Sequence, residues 1–191
     1  FTDHGHDHKG VDRGADLHPF LGYNFRISEL HAAVGLAQIR RVDEFLAIQK
    51  KNHAALKQIL AAIPEISFRK IPDPEGDSCT FLSWFLPTEE QTRAVVAELK
   101  QQGILAGNFY WYDNNWHYIR KWDHLKTATS LYPLHEAQRE ALMQLAAQKF
   151  EASDAVMSRC ISTAISLLWT EEQLQEKGNR IAQVVQQVLK G

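Results

Sequence analysis

Only two cysteines, Cys79 and Cys160, occur in the 191 residues, which is too few for a disulfide framework. They stand far apart and form no C-x-x-C pair, so no zinc ribbon is indicated either. Neither thiol is expected beside a base or a helix N-terminus, and both read as inert core groups. Long hydrophobic runs are missing too. The longest, around residues 81–87, contains Ser83 and falls far short of the roughly 20 residues needed to span a bilayer. No sign of charge dominates: the formal net charge is -2 with acids and bases interleaved, so neither a basic field for nucleic acid nor an acidic solvating tail is present. There is no G-x-G-x-x-G and no Walker-type loop. An initiator Met is absent at Phe1, and no signal segment or recognisable first element follows it, which reads as part of a larger enzyme with the cytosol as its default compartment.

What the chain does have is a hydrophobic content of 45%, enough for a real core. Residues 1–27 are rich in histidine, glycine and charge and read as a connecting segment. From Ser28 the pattern turns helical. Leu30, Val34, Ala37, Val42, Phe45, Leu46, Leu56, Ile59, Leu60 and Ile63 recur at three- and four-residue spacing up to Pro64, with Ser28 placed to cap the start. A single helix over 28–63 would run about 50 Å at about 1.5 Å per residue, long enough to link two domains or cross a subunit boundary, with Asn52 as the place where it could break.

Residues 64–191 read as a small C-terminal domain. Short strands are expected at 66–71, 79–86 and 103–106, and another at 160–168. Thr88 with Gln91 three residues on forms a capping-box signature for a helix to about Gln102, closed by Gly103. Trp169-Thr170-Glu171-Glu172-Gln173 repeats that grammar for a final helix through Leu189, with Trp169 and Leu174 at the positions of a hydrophobic staple. A further helix is expected over 133–150. The plan is α+β: a small sheet with helices packed on one face. Between the units, half of residues 109–122 are aromatic, including Phe109, Tyr110, Trp111, Tyr112, Trp116, Tyr118 and Trp122. Such a cluster serves either as a satellite core under a long loop or as a wall for a sugar or another flat ligand.

Three constellations could carry chemistry. His4-Gly5-His6-Asp7-His8 falls one residue short of the H-x-H-x-D-H order of a large class of zinc hydrolases and has no evident fourth ligand, so it reads as loop histidines and no metal is assigned. Glu89-Glu90 and Glu171-Glu172 sit in first helical turns, where complementing the macrodipole accounts for them. The third is the loop Gly22-Tyr23-Asn24-Phe25-Arg26. Asn24 offers an amide donor to a phosphate oxygen, and the Arg26 guanidinium is a planar fork able to grip phosphate or carboxylate in bidentate fashion. The bland alternative is a solvated loop arginine ahead of a helix.

Gly22-Tyr23-Asn24-Phe25-Arg26, continuing Ile27-Ser28-Glu29-Leu30-His31-Ala32-Ala33-Val34-Gly35-Leu36-Ala37-Gln38, resembles the second half of the DegT/DnrJ/EryC1 sugar aminotransferases. These are pyridoxal-phosphate enzymes of the aspartate aminotransferase fold, fold-type I. The resemblance implies that 64–191 is the small C-terminal domain and 28–63 the interdomain helix. It further implies a homodimer in which Asn24 crosses the interface to the cofactor phosphate of the neighbouring subunit, with Arg26 beside that phosphate or the substrate. The family's catalytic lysine, the aspartate that pairs with the pyridine nitrogen and the ring-stacking aromatic belong to a large domain upstream of Phe1. This chain alone is therefore expected to hold no covalent cofactor; Lys9 is not a substitute, and no residue here is assigned a catalytic role. The wording of His6-Asp7-His8-Lys9-Gly10, Asp12-Arg13-Gly14-Ala15-Asp16 and His18-Pro19-Phe20 resembles the branch that aminates C8 of oxidised 3-deoxy-manno-octulosonate, a lipopolysaccharide sugar, with glutamate as donor. For an acidic sugar, His117, Tyr118 and Arg120 are candidate binding groups by their chemistry. Two other readings stand beside this one: the family's sugar 3-dehydratases, which replace the lysine by histidine, and a non-catalytic dimerisation module.

Overall fold

The computed structural model describes residues 27–114 and 118–190. The helical stretch after Ser28 is two helices, α1 (Glu29–Ile39) and α2 (Val42–Leu60). Ser28 caps α1 as expected, its hydroxyl accepting the His31 N–H. The single helix over 28–63 is thus corrected, and the break lies at Arg40 and Arg41, with α2 running unbroken through Asn52. Its cause can be read in the phase of the apolar stripe. Leu30, Val34 and Ala37 keep helical spacing, but the next two positions on that face are arginines and the stripe resumes at Val42, which in a continuous helix would lie on another side. The Arg41 N–H closes a tighter turn on the Gln38 carbonyl. By contact the chain divides into the units Phe1–Glu44 and Phe45–Gly191.

In the second unit four short strands form one antiparallel sheet: β1 (Ser67–Phe68), β2 (Phe81–Phe85), β3 (Asn108–Phe109) and β4 (Cys160–Ala164), in spatial order β1-β2-β4-β3. Alternation along β2 and β4 sorts the side chains. Leu82 and Trp84, paired with Thr163 and Ile161, turn into the core, while Ser83 and Ser162 pair on the opposite face. Against the inner face pack α2, α3 (Glu89–Gln101) and α7 (Glu171–Lys190), through Leu56 and Leu60, Val95 and Leu99, and Ile181, Val184 and Val185. Each such fully buried side chain contributes about 1.5–3 kcal/mol of transfer free energy, so this layer dominates the unit's stability. At Gly178 a Cβ would sit 2.6 Å from Ile59 Cδ1, so the glycine is what lets α7 approach α2 this closely.

The helix ends expected from sequence are present. Thr88 accepts the Gln91 N–H, and in α7 Thr170 and Gln173 bond reciprocally through side chain and backbone. Gly103, at φ +69°, closes α3: its N–H reaches the Lys100 carbonyl while the Ile104 N–H reaches Leu99, a Schellman arrangement with Leu99 and Ile104 both in the core. That use of Gly103 displaces the strand expected at 103–106. Residues 105–108 form a turn instead, the Asn108 N–H bonding the Leu105 carbonyl around Gly107 at φ +77°, and β3 begins only at Asn108. β2 starts later than expected because Cys79 adopts φ +57°, held by its N–H on Asp77 Oδ1 and its carbonyl under the Gln49 amide. The remaining helices are α4 (Asp123–Lys126), α5 (Glu136–Ala147) and α6 (Glu151–Met157). The helix expected over 133–150 is therefore shorter, capped by His135, and α6 had no counterpart in the sequence reading.

One polar chain crosses the core. Trp84 Nε1–H donates to Thr163 Oγ1 at 3.0 Å, Thr163 donates to Asn108 Oδ1 at 2.6 Å, and the Asn108 amide donates to the Ile104 carbonyl at 3.0 Å. It ties the inner residues of β2, β4 and β3 together with every group paired, as burial demands. Among the described residues no helix is long and apolar enough to cross a membrane.

Candidate functional site

The aromatic segment is positioned by one arginine. From α3, Arg93 donates in bidentate fashion to Asp113 (2.6 and 3.2 Å) and through Nε to Glu89 at 2.8 Å. Its guanidinium also lies 5.4 Å from the centre of the Tyr110 ring and 5.7 Å from that of Tyr112. The two carboxylates raise its pKa further and keep it charged. This grip fixes the short 3-10 helix Trp111–Asp113, and the alternation entering it sends the rings to two places. Tyr110 is buried, its hydroxyl donating to the Ser158 carbonyl, and burial raises its pKa, so it stays a neutral donor. Tyr112 and Tyr118 lie with ring centres 5.4 Å apart, and the Tyr118 hydroxyl bonds the Asp154 carboxylate of α6. This half of the segment is core.

The other half is a wall. Phe109 and Trp111 stack in parallel at 4.7 Å, and Phe81 meets both edge-on at 6.0 and 6.1 Å. They stand on the sheet face away from the α2, α3 and α7 layer, where a cleft of about 440 Å³ opens between Phe81, Phe85, Trp111, Val156 and Met157. Its polar groups are few and convergent. Ser83 and Ser162 share a hydrogen bond of 2.9 Å across the β2–β4 pair, and Arg69 stands at the rim, more than half exposed. Arg69 lies 3.5 Å from Asp77 Oδ2, in ion-pair range but without a hydrogen bond, since that buried oxygen has no hydrogen-bond partner. An apolar, ring-lined cleft with two hydroxyls and one cation suits a ligand with a flat apolar face, hydroxyl groups and a negative charge. Cys160 contributes no nucleophile there: burial raises its pKa and holds it as the thiol.

Of the residues singled out from sequence, Asn24, Arg26 and His117 lie outside the described residues. Arg120 has its backbone in the 3-10 helix Ile119–Lys121, and its side chain lies outside what is described. Tyr118 is 5% exposed and committed to Asp154. As a donor set, the Asn24 amide and the Arg26 guanidinium fit a phosphate. Sequence reasoning missed Arg69, Ser83 and Ser162, because they come together only through the antiparallel register. It also missed Arg93, whose one local signal was its spacing of four residues from Glu89. No group of histidine, cysteine and carboxylate residues suited to a metal occurs among the described residues.

Residues 1–182 match the profile of the DegT/DnrJ/EryC1/StrS aminotransferase family. A stretch of 81 residues is 40% identical to lipopolysaccharide biosynthesis protein RfbH of Salmonella typhimurium strain LT2, covering 42% of this chain and 16% of that protein. Over 104 residues it is 30% identical to GDP-4-keto-6-deoxy-D-mannose 3-dehydratase of Yersinia pseudotuberculosis, covering 52% of this chain and 25% of the relative. GDP-perosamine synthase of Caulobacter vibrioides is 42% identical over 45 residues, covering 24% of this chain and 12% of that enzyme. The matched stretches thus span a quarter or less of each relative. The crystal structure of 3-amino-5-hydroxybenzoic acid synthase shares the fold, with a TM-score of 0.56 at 23% identity over 90% of this chain and 42% of that one.

Proposed function

Because this chain belongs to the DegT/DnrJ/EryC1/StrS aminotransferase family, we propose that it forms part of a pyridoxal-phosphate-dependent enzyme transferring an amino group from glutamate to an oxo-sugar. The observation that carries the reading is the family match across residues 1–182, which includes the 22–26 loop. When bound, pyridoxal phosphate supplies an electron sink for chemistry at the amino-bearing carbon. Asn24 donates its amide hydrogen to a phosphate oxygen and Arg26 pairs with the same phosphate, in a site shared across a homodimer. His117 and Arg120 offer hydrogen-bonding or cationic groups to the sugar, and Tyr118, the third candidate, has its hydroxyl committed to Asp154. The wall of Phe81 and Trp111 with the Ser83 and Ser162 hydroxyls offers an apolar face and polar handles of the kind a sugar ring uses.

A second reading has its own support: one relative is a 3-dehydratase. The third, a non-catalytic dimerisation module, places the chain's role in assembly alone. C8 amination of oxidised 3-deoxy-manno-octulosonate rests on the wording of residues 6–20, and none of the relatives named above carries that substrate in its name. Incubating the intact protein with pyridoxal phosphate, glutamate and either a GDP-linked 4-oxo sugar or the oxidised octulosonate separates these readings. Aminotransfer yields 2-oxoglutarate and amino sugar in equal amounts. Loss of the 3-hydroxyl without amino sugar identifies the dehydratase, and a protein that dimerises with neither product identifies the module.

A further inference from the structure

On the inner-face side of the domain, a cleft of about 340 Å³ lies between the first half of α7 and the segment joining α3 to β3, with Ala106, Trp169, Gln173, Glu176, Lys177 and Arg180 in its lining. We propose that this cleft binds a phosphate group carried by a small molecule, gripped by Lys177 and Arg180. The inference stands on this cleft's own geometry and does not depend on the aminotransferase reading.

The two cations are turned into the same space. Lys177 Nζ donates to the Ala106 carbonyl at 2.9 Å and lies 5.8 Å from the centre of the Trp169 ring. Arg180 donates one Nη2–H to the Gln102 carbonyl at 3.3 Å. Each spends one hydrogen on a backbone carbonyl, leaving two on the ammonium and four on the guanidinium. Among the described residues neither forms an ion pair. Glu176 also lines the cleft and stands four positions before Arg180, the spacing of a helical ion pair, yet the guanidinium turns to Gln102 instead. Gln173 adds a neutral donor, since its Oε1 accepts the Thr170 N–H and its NH2 group remains for the cleft. Burial, and to a lesser degree the charge of Arg180, push the Lys177 pKa down. An anion between them relieves that repulsion and satisfies the remaining hydrogens.

The test is thermal unfolding of the intact protein against increasing inorganic phosphate, with chloride holding ionic strength constant. A ligand bound only by the folded state raises the midpoint in a saturable way. The expected result is such a rise, lost in the Lys177→Gln/Arg180→Gln double variant and larger in Glu176→Gln, which removes a repelling carboxylate. Each comparison is made within one variant, with and without phosphate, so a change in baseline stability cancels. Persistence of the full rise in the double variant overturns the proposal, as does no saturable rise at all. Loss of the rise only in Asn24→Ala/Arg26→Gln assigns the phosphate effect to the cofactor loop and also overturns it, while leaving the proposed function standing. With the site supported, saturation by a nucleoside diphosphate at lower concentration than by inorganic phosphate names a nucleotide as the carrier.

Discussion

Thr163 is the point where the core's polar chain is most exposed to attack by a single atom change. The residue has no solvent exposure, and its hydroxyl both accepts from Trp84 Nε1 and donates to Asn108 Oδ1. Thr163→Val keeps the shape and removes both bonds. It leaves two buried groups orphaned, because Trp84 is fully buried and Asn108 is 5% exposed. An unsatisfied buried donor or acceptor costs about 1–3 kcal/mol, so the two together give about 2–6 kcal/mol. For a chain of this size that lowers the thermal midpoint by roughly 5–20 °C. The assay is urea unfolding followed by Trp fluorescence, with an unchanged dependence on denaturant showing that only stability moved. Thr163→Ser, which keeps the hydroxyl and gives up one buried methyl, should lose only about 1 kcal/mol. Adding Trp84→Phe to Thr163→Val should cost less than the two changes summed, since one orphan disappears. A loss below about 1 kcal/mol for Thr163→Val would refute the reasoning.

Three further predictions concern other parts of the molecule. Burial, then Lys57 and Arg69, hold the His53 pKa below its ordinary 6.5 against the opposing pull of Asp77, so its stabilising share is full above 6.5 and is lost as pH falls through the depressed folded value. Unfolding midpoints measured across that window should fall towards acid, and a His53→Gln variant with an undiminished slope would contradict the assignment. Cys160, pushed up in pKa by burial although it borders the cleft, should react with a thiol reagent at pH 8 more slowly than a free thiol; a free-solution rate in the native state would contradict it. Arg93→Ala removes two half-exposed ion pairs of about 0.2–1 kcal/mol each, so global stability should fall by about 1 kcal/mol while amide exchange at residues 111–113 accelerates. Unchanged exchange there would show that Arg93 does not hold the aromatic segment.

The local signals were legible because they depend on neighbours in sequence. Thr88 with Gln91, Thr170 with Gln173 and Gly103 are each readable from spacings of a few residues. Thr170 and Gln173 form the full capping box and Gly103 ends its helix. Thr88 accepts the Gln91 N–H, but the Gln91 side chain meets the Thr88 hydroxyl, so only half of that box forms. The break at Arg40 and Arg41 lay in the same pattern, but counting apolar positions without following their phase hid it. Gly103 and Gly107 mark a helix end and a turn, and treating the apolar residues between them as a strand ignored how little extended chain two positive-φ glycines leave. α6 was missed because 151–157 is too short to show a period. The cleft was illegible for another reason: Arg69, Ser83, Trp111 and Ser162 are brought together from four separate stretches by strand register, which no local spacing encodes. The 22–26 loop was legible as a motif and as nothing more, since its residues lie outside the described structure.

In the proposed enzyme Asn24 and Arg26 hold the phosphate of pyridoxal phosphate. Titrating the intact protein with pyridoxal phosphate, wild type against Asn24→Ala, tests it directly by following cofactor absorbance. Removing a hydrogen bond to a charged group costs about 1–3 kcal/mol, so the variant should bind roughly five- to a hundredfold more weakly. Equal affinity in the two proteins would contradict the claim.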